Sequence, residues 1–220
     1  MNVLKWLIKL IKTEELQFKN VIISQKYLFW KSKRIFDVLI CISLLPVLAL
    51  IILILLIFNK FYNKGSLFYV QKRMGKNCKP FNAIKFRTMS YVKVINRKYS
   101  DPVELDRITA LGHKLRKIRI DELPQILNVL KGDMSLIGPR PDYYEHALLF
   151  LENIPSYKFR YAIKPGISGL AQIRLGYAAG LNETKKKSKV DVFYIENASY
   201  YLDMKIFFGT ILTILKGTGT

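Results

Sequence analysis

Between Arg116 and Pro141 the chain reads RKIRIDELPQILNVLKGDMSLIGPRP, which sets two adjacent carboxylates, Asp121 and Glu122, among several cations. Successive side chains on a helix differ by about 100°, so the two carboxylates cannot share a face and must have different jobs. One could attack as a nucleophile while the other binds a divalent cation. Mg²⁺ accepts few protein oxygens and completes its shell with phosphate and water. Surrounding arginines and lysines would neutralise a diphosphate and stabilise charge on a leaving phosphate. This is a layout for phosphoryl transfer. The commoner role for such a pair is an N-cap at Asp121 with Glu122 as a first-turn dipole partner, and on local physics that reading leads.

The elements that must position the pair follow from spacing. Leu123, Ile126, Leu127 and Leu130 mark one buried helical face, so a helix is expected from Asp121, with Pro124 in its first turn and Lys131-Gly132 as its end. Beyond it, in Gly138-Pro139-Arg140-Pro141, two prolines fix the backbone on either side of one guanidinium. Upstream, the β-prone runs 67–70 and 81–86 flank a Gly-Lys-Asn-Cys-Lys-Pro turn and read as a hairpin. Lys72, Arg73, Lys85 and Arg87 lie on or beside it. Alternation puts Lys85 and Arg87 on one strand face, where they could hold a phosphate or simply discourage edge pairing. Residues 107–117 and 144–151 have helical spacing, 164–169 is a Gly/Pro turn, and 200–216 is an interfacial or core helix.

One segment must meet lipid. Residues 38–58 carry no charge and as a helix reach about 30 Å. Lys33 and Arg34 precede it while Lys60 and Lys64 follow, so the basic flanks give no orientation. Asp37 can pair with Lys33 or Arg34 at the headgroup level. Pro46 makes a bend easy, which would let the segment enter and leave through one leaflet; a spanning helix with a tolerated proline has the better statistical footing. Residues 1–20 place Leu4, Leu7, Ile8 and Ile11 opposite Lys5, Lys9 and Lys12, a pattern for a membrane surface or for an ordinary packed helix.

Composition narrows the classes. In 220 residues, 36 basic against 16 acidic side chains give a net charge of +20, which calls for an anionic partner: phospholipid headgroups, nucleic acid or a phosphorylated substrate. Two cysteines without metal spacing suit a reducing compartment. Two histidines, neither near a serine elbow or an HExxH pattern, argue against triads and zinc hydrolysis. No P-loop, GxGxxG or Asp-x-Asp element is present, and no nucleic-acid module accompanies the charge. The rival to an enzyme is a basic, non-catalytic membrane adaptor.

The ordered blocks resemble the bacterial sugar transferases, the monotopic phosphoglycosyl transferases. They are Lys33-Arg34-Ile35-Phe36-Asp37, Gly65-Ser66, Lys85-Phe86-Arg87-Thr88-Met89, the whole of 116–141, Lys164-Pro165-Gly166-Ile167-Ser168-Gly169, and 191–197 with Leu202-Asp203. The resemblance covers nearly all of 33–217. It implies an α+β, mainly helical fold: a re-entrant membrane helix-break-helix, and a small cytoplasmic domain with a β-hairpin and amphipathic interfacial helices. The expected divisions are 1–32 as an amphipathic and linker segment, 33–62 as the re-entrant helix and 63–220 as the transferase domain. The implied reaction moves a sugar 1-phosphate from a nucleotide diphosphate sugar to polyprenyl phosphate through a covalent aspartyl-phosphosugar, starting capsule, exopolysaccharide or another surface glycan.

The resemblance also assigns roles. Asp121 is the nucleophile and Glu122 the Mg²⁺ ligand. Lys85, Arg87, Arg116, Arg140 and Gln172 meet substrate or phosphate, and Arg34, Asp37 and Pro46 form the membrane anchor and hinge. It places the protein on the cytoplasmic face of a bacterial inner membrane beside anionic lipids, with no nucleic-acid partner. Oligomeric state stays open, a homodimer among the options, and nothing names the sugar or nucleotide. Leu45, Leu170 and Arg119 depart from the family pattern, which usually has serine, tryptophan and serine or threonine there.

Overall fold

A computed structural model describes residues 26–63, 65–92, 101, 104–176 and 180–216. The amphipathic pattern read in 1–20 lies outside them. The longest element, α1 (Tyr27–Tyr62), begins six residues before the expected boundary at 33. Its aromatic start explains the difference: Phe29 and Trp30 pack against a cluster built on Tyr194, Ile195 and Ile206, so residues read as a linker have a tertiary reason to be helical. Helical hydrogen bonding runs through Pro46 to Tyr62, where a break was expected. A proline deletes one donor and can bend a helix without ending it.

One face of α1 is covered throughout. Lys33, Asp37, Cys41, Leu48, Leu55 and Asn59 are buried, at intervals of four and seven that share a helical face. Leu39, Leu50, Leu53, Leu56 and Ile57 on its other sides are exposed. From Ile35 to Phe58 the exposed residues are apolar apart from Ser43, while Lys31 and Lys60 lie exposed near the two ends; such a surface suits lipid. The buried face meets Phe86, Leu115, Ile126, Val129 and Met134 in the first core cluster.

The hairpin forms as expected. β1 (Phe68–Met74) pairs antiparallel with β2 (Pro80–Phe86), from Phe68 opposite Phe86 to Met74 opposite Pro80. Then α2 (Ala110–Lys117) starts where the Thr109 hydroxyl accepts the Gly112 amide at 3.0 Å. A 3-10 turn over Ile120–Glu122 intervenes before α3 (Gln125–Lys131). Asp121 therefore does not cap a helix, contrary to the leading local reading. The Glu122 and Leu123 amides are taken by the carbonyls of Arg119 and Ile120 at 3.2 and 3.0 Å, so the backbone needs no carboxylate. The end of α3 is as read from the sequence: Gly132 has φ +99°, a left-handed C′ residue.

Residues 164–169, expected as a simple turn, contain a strand. β3 (Ser135–Ile137) pairs in parallel with β4 (Gly166–Ser168). Three-residue strands carry no readable period. The glycines allow this pairing: a Cβ on Gly166 would lie 2.1 Å from the Gly138 amide nitrogen. The remaining helices are α4 (Tyr144–Asn153), α5 (Leu170–Leu175), α6 (Gly180–Asn197) and α7 (Tyr200–Leu215). α7 is bound to the start of α1 through Lys33 and Asp203 at 2.7 Å. It exposes Tyr201, Met204, Phe208 and Leu212, as an interfacial helix would. Among the described residues the fold is mainly helical, with two small two-stranded sheets.

Candidate active site

The 3-10 turn, β2 and the segment after β3 converge on the Glu122 carboxylate. Lys85, on β2, donates to Oε1. Arg140 grips both oxygens, Nη1 to Oε2 at 2.9 Å and Nη2 to Oε1, with Nη1 also 3.4 Å from the Ile167 carbonyl. This fork suits a planar guanidinium. Burial alone would raise Glu122, but Arg140 and Lys85 overcome it and hold the carboxyl well below the usual range. It is a fixed anion.

Asp121 is different. It is buried yet accepts no hydrogen bond among the described residues. Burial and the adjacent Glu122 charge push it up to about 6, against the pull of Lys85, Arg116 and Arg140. An under-solvated carboxylate that still ionises at neutral pH is a competent nucleophile. Arg116 acts from the last turn of α2. Arg119, at φ +55°, turns the chain from α2 into the 3-10 turn and adds its charge to the same group.

Arg140 is held by its backbone. The β3–β4 ladder continues through Gly138 N to Ser168 O and Gly166 N to Pro139 O, both 2.9 Å. Arg160 Nη2 then donates to the Arg140 carbonyl at 2.8 Å. Arg160 is sealed in the core, bonding Asp142 and, through Nε at 2.9 Å, Asp191. Asp142 also accepts from Lys187 and Tyr157. Burial alone would raise Asp142, but Arg160 and Lys187 overcome it and hold the group far below its ordinary value.

The expected site residues divide. Lys85, Arg116, Asp121, Glu122 and Arg140 come together. Arg87 does not: it lies beyond β2, where its guanidinium bonds the Asn63 carbonyl and its own carbonyl accepts from Asn63 Nδ2 at 2.6 Å, under the end of α1. The ladder still reaches Arg87, whose amide donates to the Leu67 carbonyl at 2.9 Å, but the guanidinium is taken by Asn63. Gln172 is on α5, its Oε1 buried without a partner beside Gly169. Asp37 and Arg34 anchor α1: Ser135 Oγ donates to Asp37 at 2.6 Å, and Arg34 donates to the Val129 carbonyl at 2.6 Å. Arg73 was named only with the hairpin cations, yet it borders the site, its charge felt by Arg140, Asp142 and Glu122. Tyr69 stands opposite Lys85, and Arg73 is four residues along the same face, so strand alternation could have found it.

Among the described residues no group of three metal-ligating side chains exists. The donor set still fits Mg²⁺, which commonly takes one or two carboxylates and fills its shell from phosphates and water. Glu122 is the ionised candidate with Asp121 beside it, and Lys85 and Arg140 now occupy its oxygens.

Comparison with known proteins bears on this geometry. A family model described as bacterial sugar transferase matches residues 28–217. A UDP-N-acetylgalactosamine-undecaprenyl-phosphate N-acetylgalactosaminephosphotransferase of Aeromonas hydrophila is 39% identical over 213 residues, covering 96% of this chain and 50% of its own length. The exopolysaccharide production protein PSS of Rhizobium leguminosarum bv. phaseoli is 38% identical over 198 residues, 85% of this chain and 97% of that protein. A UDP-glucose:undecaprenyl-phosphate glucose-1-phosphate transferase of Caulobacter vibrioides is 36% identical over 190 residues, 83% of this chain and 69% of that protein. The chain thus spans half of the Aeromonas relative and nearly all of the Rhizobium one.

Proposed function

We propose, starting from the fact that this chain belongs to the bacterial sugar transferase family, that it is a membrane-associated enzyme transferring a sugar 1-phosphate from a nucleotide diphosphate sugar to undecaprenyl phosphate. The observation that carries the reading is the contrast at the acidic pair: Glu122 is ionised and clamped by two cations, whereas Asp121 is buried and unbonded.

In the first step an Asp121 carboxylate oxygen attacks the phosphorus bearing the sugar. The bond from that phosphorus to the bridging oxygen breaks, and its electrons leave with the nucleoside monophosphate. Lys85 and Arg140 neutralise the diphosphate and the departing phosphate, and Arg116 keeps Asp121 ionised. Mg²⁺, held by Glu122 when bound, supplies charge neutralisation on the diphosphate. In the second step a phosphate oxygen of undecaprenyl phosphate attacks the same phosphorus, the acyl phosphate bond breaks, and the Asp121 carboxylate is regenerated. The product starts a lipid-linked surface glycan.

The membrane part of the reading is a re-entrant α1 on the cytoplasmic face. Arg34 is tied to Val129, whose neighbour Asn128 bonds Ile84; Asn63 is tied to Arg87, three residues further along from Ile84. A straight helix would hold Arg34 and Asn63 about 43 Å apart, a distance these contacts reach only with every link extended in one line. A bend at Pro46 would relieve that demand and let one domain hold both ends.

The test is nucleoside monophosphate release by detergent-solubilised protein across a panel of nucleotide sugars. Asp121→Asn and Asp121→Ala are expected to lose at least ~10³-fold in rate. Full turnover by either variant would sink the covalent mechanism. Anionic-vesicle binding with no Mg²⁺-dependent cleavage of any nucleotide sugar would favour the adaptor.

A further inference from the structure

At the start of α1 a cleft of about 190 Å³ opens between Trp30, Lys33, Arg34 and Asp37 on one side and Lys76 and Lys164 on the other. Its charges are not balanced. Lys33 is neutralised by Asp203 at 2.7 Å and Asp37 at 3.8 Å, and the Ser135 hydroxyl occupies one Asp37 oxygen. Arg34 spends its fork on the Val129 and Leu130 carbonyls at 2.6 and 3.1 Å. Lys76 and Lys164 have no carboxylate within salt-bridge distance among the described residues. Their mutual repulsion is felt, since burial first, then Arg34 and Lys76, lower the Lys164 ammonium. The Trp30 Nε1–H is buried without an acceptor. The cleft therefore holds surplus donors and surplus positive charge, and what it lacks is an anion with several acceptor oxygens.

The cleft is separate from the reaction site. Lys164 Nζ and Arg34 Nη2 flank Gly132 at the C-terminal end of α3, whereas Glu122 precedes its N-terminal end; the helix between is about 10 Å long. Its mouth has a definite neighbour. Trp30 and Arg34 stand immediately before exposed Ile35, Phe36 and Leu39, and Tyr201, Met204 and Phe208 of the adjoining α7 extend the same apolar surface. Cations and an indole bordering such a band lie at headgroup depth.

We propose that this cleft binds the phosphodiester of an anionic phospholipid, with Lys76, Lys164 and Trp30 donating to its oxygens. The bound lipid would neutralise the unpaired ammonium groups and dock the start of α1 at the membrane surface. The proposal does not depend on the identity of the nucleophile. The competing account is that Lys164 merely offsets the dipole of α3, which predicts no response to lipid.

The two tryptophans are Trp6 and Trp30, so full-length Trp6→Phe protein in neutral detergent leaves Trp30 as the only indole reporter. Short-chain phosphatidylglycerol is expected to change its emission saturably, and the Lys76→Gln/Lys164→Gln double variant to need roughly tenfold more lipid or worse. Lys76 is exposed and its single Gln variant keeps the fold, so a weaker shift of a few fold is expected there even if the double variant fails to fold. No saturable change, or unchanged midpoints in the variants, overturns the site. An equal response to phosphatidylcholine overturns recognition by charge, and saturation by inorganic phosphate over the same range reassigns the cleft to soluble anions. A short polyprenyl phosphate that saturates the signal at much lower concentration would make it an acceptor subsite and overturn the phospholipid assignment.

Discussion

Arg140 and Asp142 stand two residues apart, and they enter two ion clusters of opposite kind. Around Asp142 every charge is paired: Arg160 is fully buried and Asp191 nearly so, and Lys187 and Tyr157, together with Arg160, complete the shell of a partly exposed Asp142. Around Glu122 the charges are unevenly shared. Two cations serve one carboxylate while its neighbour Asp121 accepts nothing, and Arg140 keeps part of its side chain in solvent. Sealed ion groups give a unique backbone path at a desolvation cost; an uneven, reachable set leaves cations free to exchange one anion for another. The sealed cluster steadies the working one through a single hydrogen bond from Arg160 to the Arg140 carbonyl.

Breaking the sealed cluster should hurt folding most. Arg160→Met strands Asp191 and costs about 3–5 kcal/mol, seen as a drop of roughly 10 °C or more in thermal unfolding. A stable variant would mean that the cluster contributes nothing. In the working cluster, Arg140→Lys keeps charge but loses the two-pronged grip on Glu122. A loss of about 30- to 100-fold in kcat/KM is expected, near 2–3 kcal/mol, with little change in melting.

Asp121→Asn should separate the clusters by sign. A buried carboxyl raised to about 6 is protonated in the fold and ionised in the unfolded chain between about pH 4 and 6. Stability attributable to it is therefore lost as pH rises through that window. The neutral variant should melt a few degrees higher than wild type at pH 7.5, by about 1–2 kcal/mol, with the gap shrinking towards pH 4. Asp142 runs the other way. Its carboxyl is depressed, so its contribution is present at neutral pH and is lost as pH falls below the unfolded value. A lower melting point for Asp121→Asn at pH 7.5 would contradict the account of an unsatisfied nucleophile. The smallest effect is expected at Arg87→Gln: about 1 kcal/mol of stability and less than a twofold change in kcat/KM, since Arg87 holds Asn63 and not the site. A large loss of activity in steady-state assays would return it to the phosphate.

Much of this was legible in the chain. The hairpin, α2, α4, α7 and the glycine stop after α3 follow from periodicity and turn residues, because each is a local preference of a few adjacent side chains. The start of α1 was not legible, since Phe29 and Trp30 are helical through packing on residues far along the chain. The β3–β4 pair escaped as well, because parallel strands of three residues are specified by contact and not by pattern. The partner of Arg87 was not legible either: alternation set it beside Lys85, and only the fold brings Asn63 to its guanidinium.

For the acidic pair, sequence alone determined that two adjacent carboxylates would sit beside a helix and among cations, and the ordered motifs pointed to phosphoryl transfer. It left capping as the better local account of Asp121. Only the tertiary structure removed that account, by satisfying the turn amides with backbone carbonyls and by bringing Lys85, from a strand 37 residues earlier, and Arg140, from 18 residues later, onto Glu122 alone. Spacing along a chain sets which groups are near; which of two neighbouring carboxylates is paired, and which is left buried and unpaired, depends on distances across the fold.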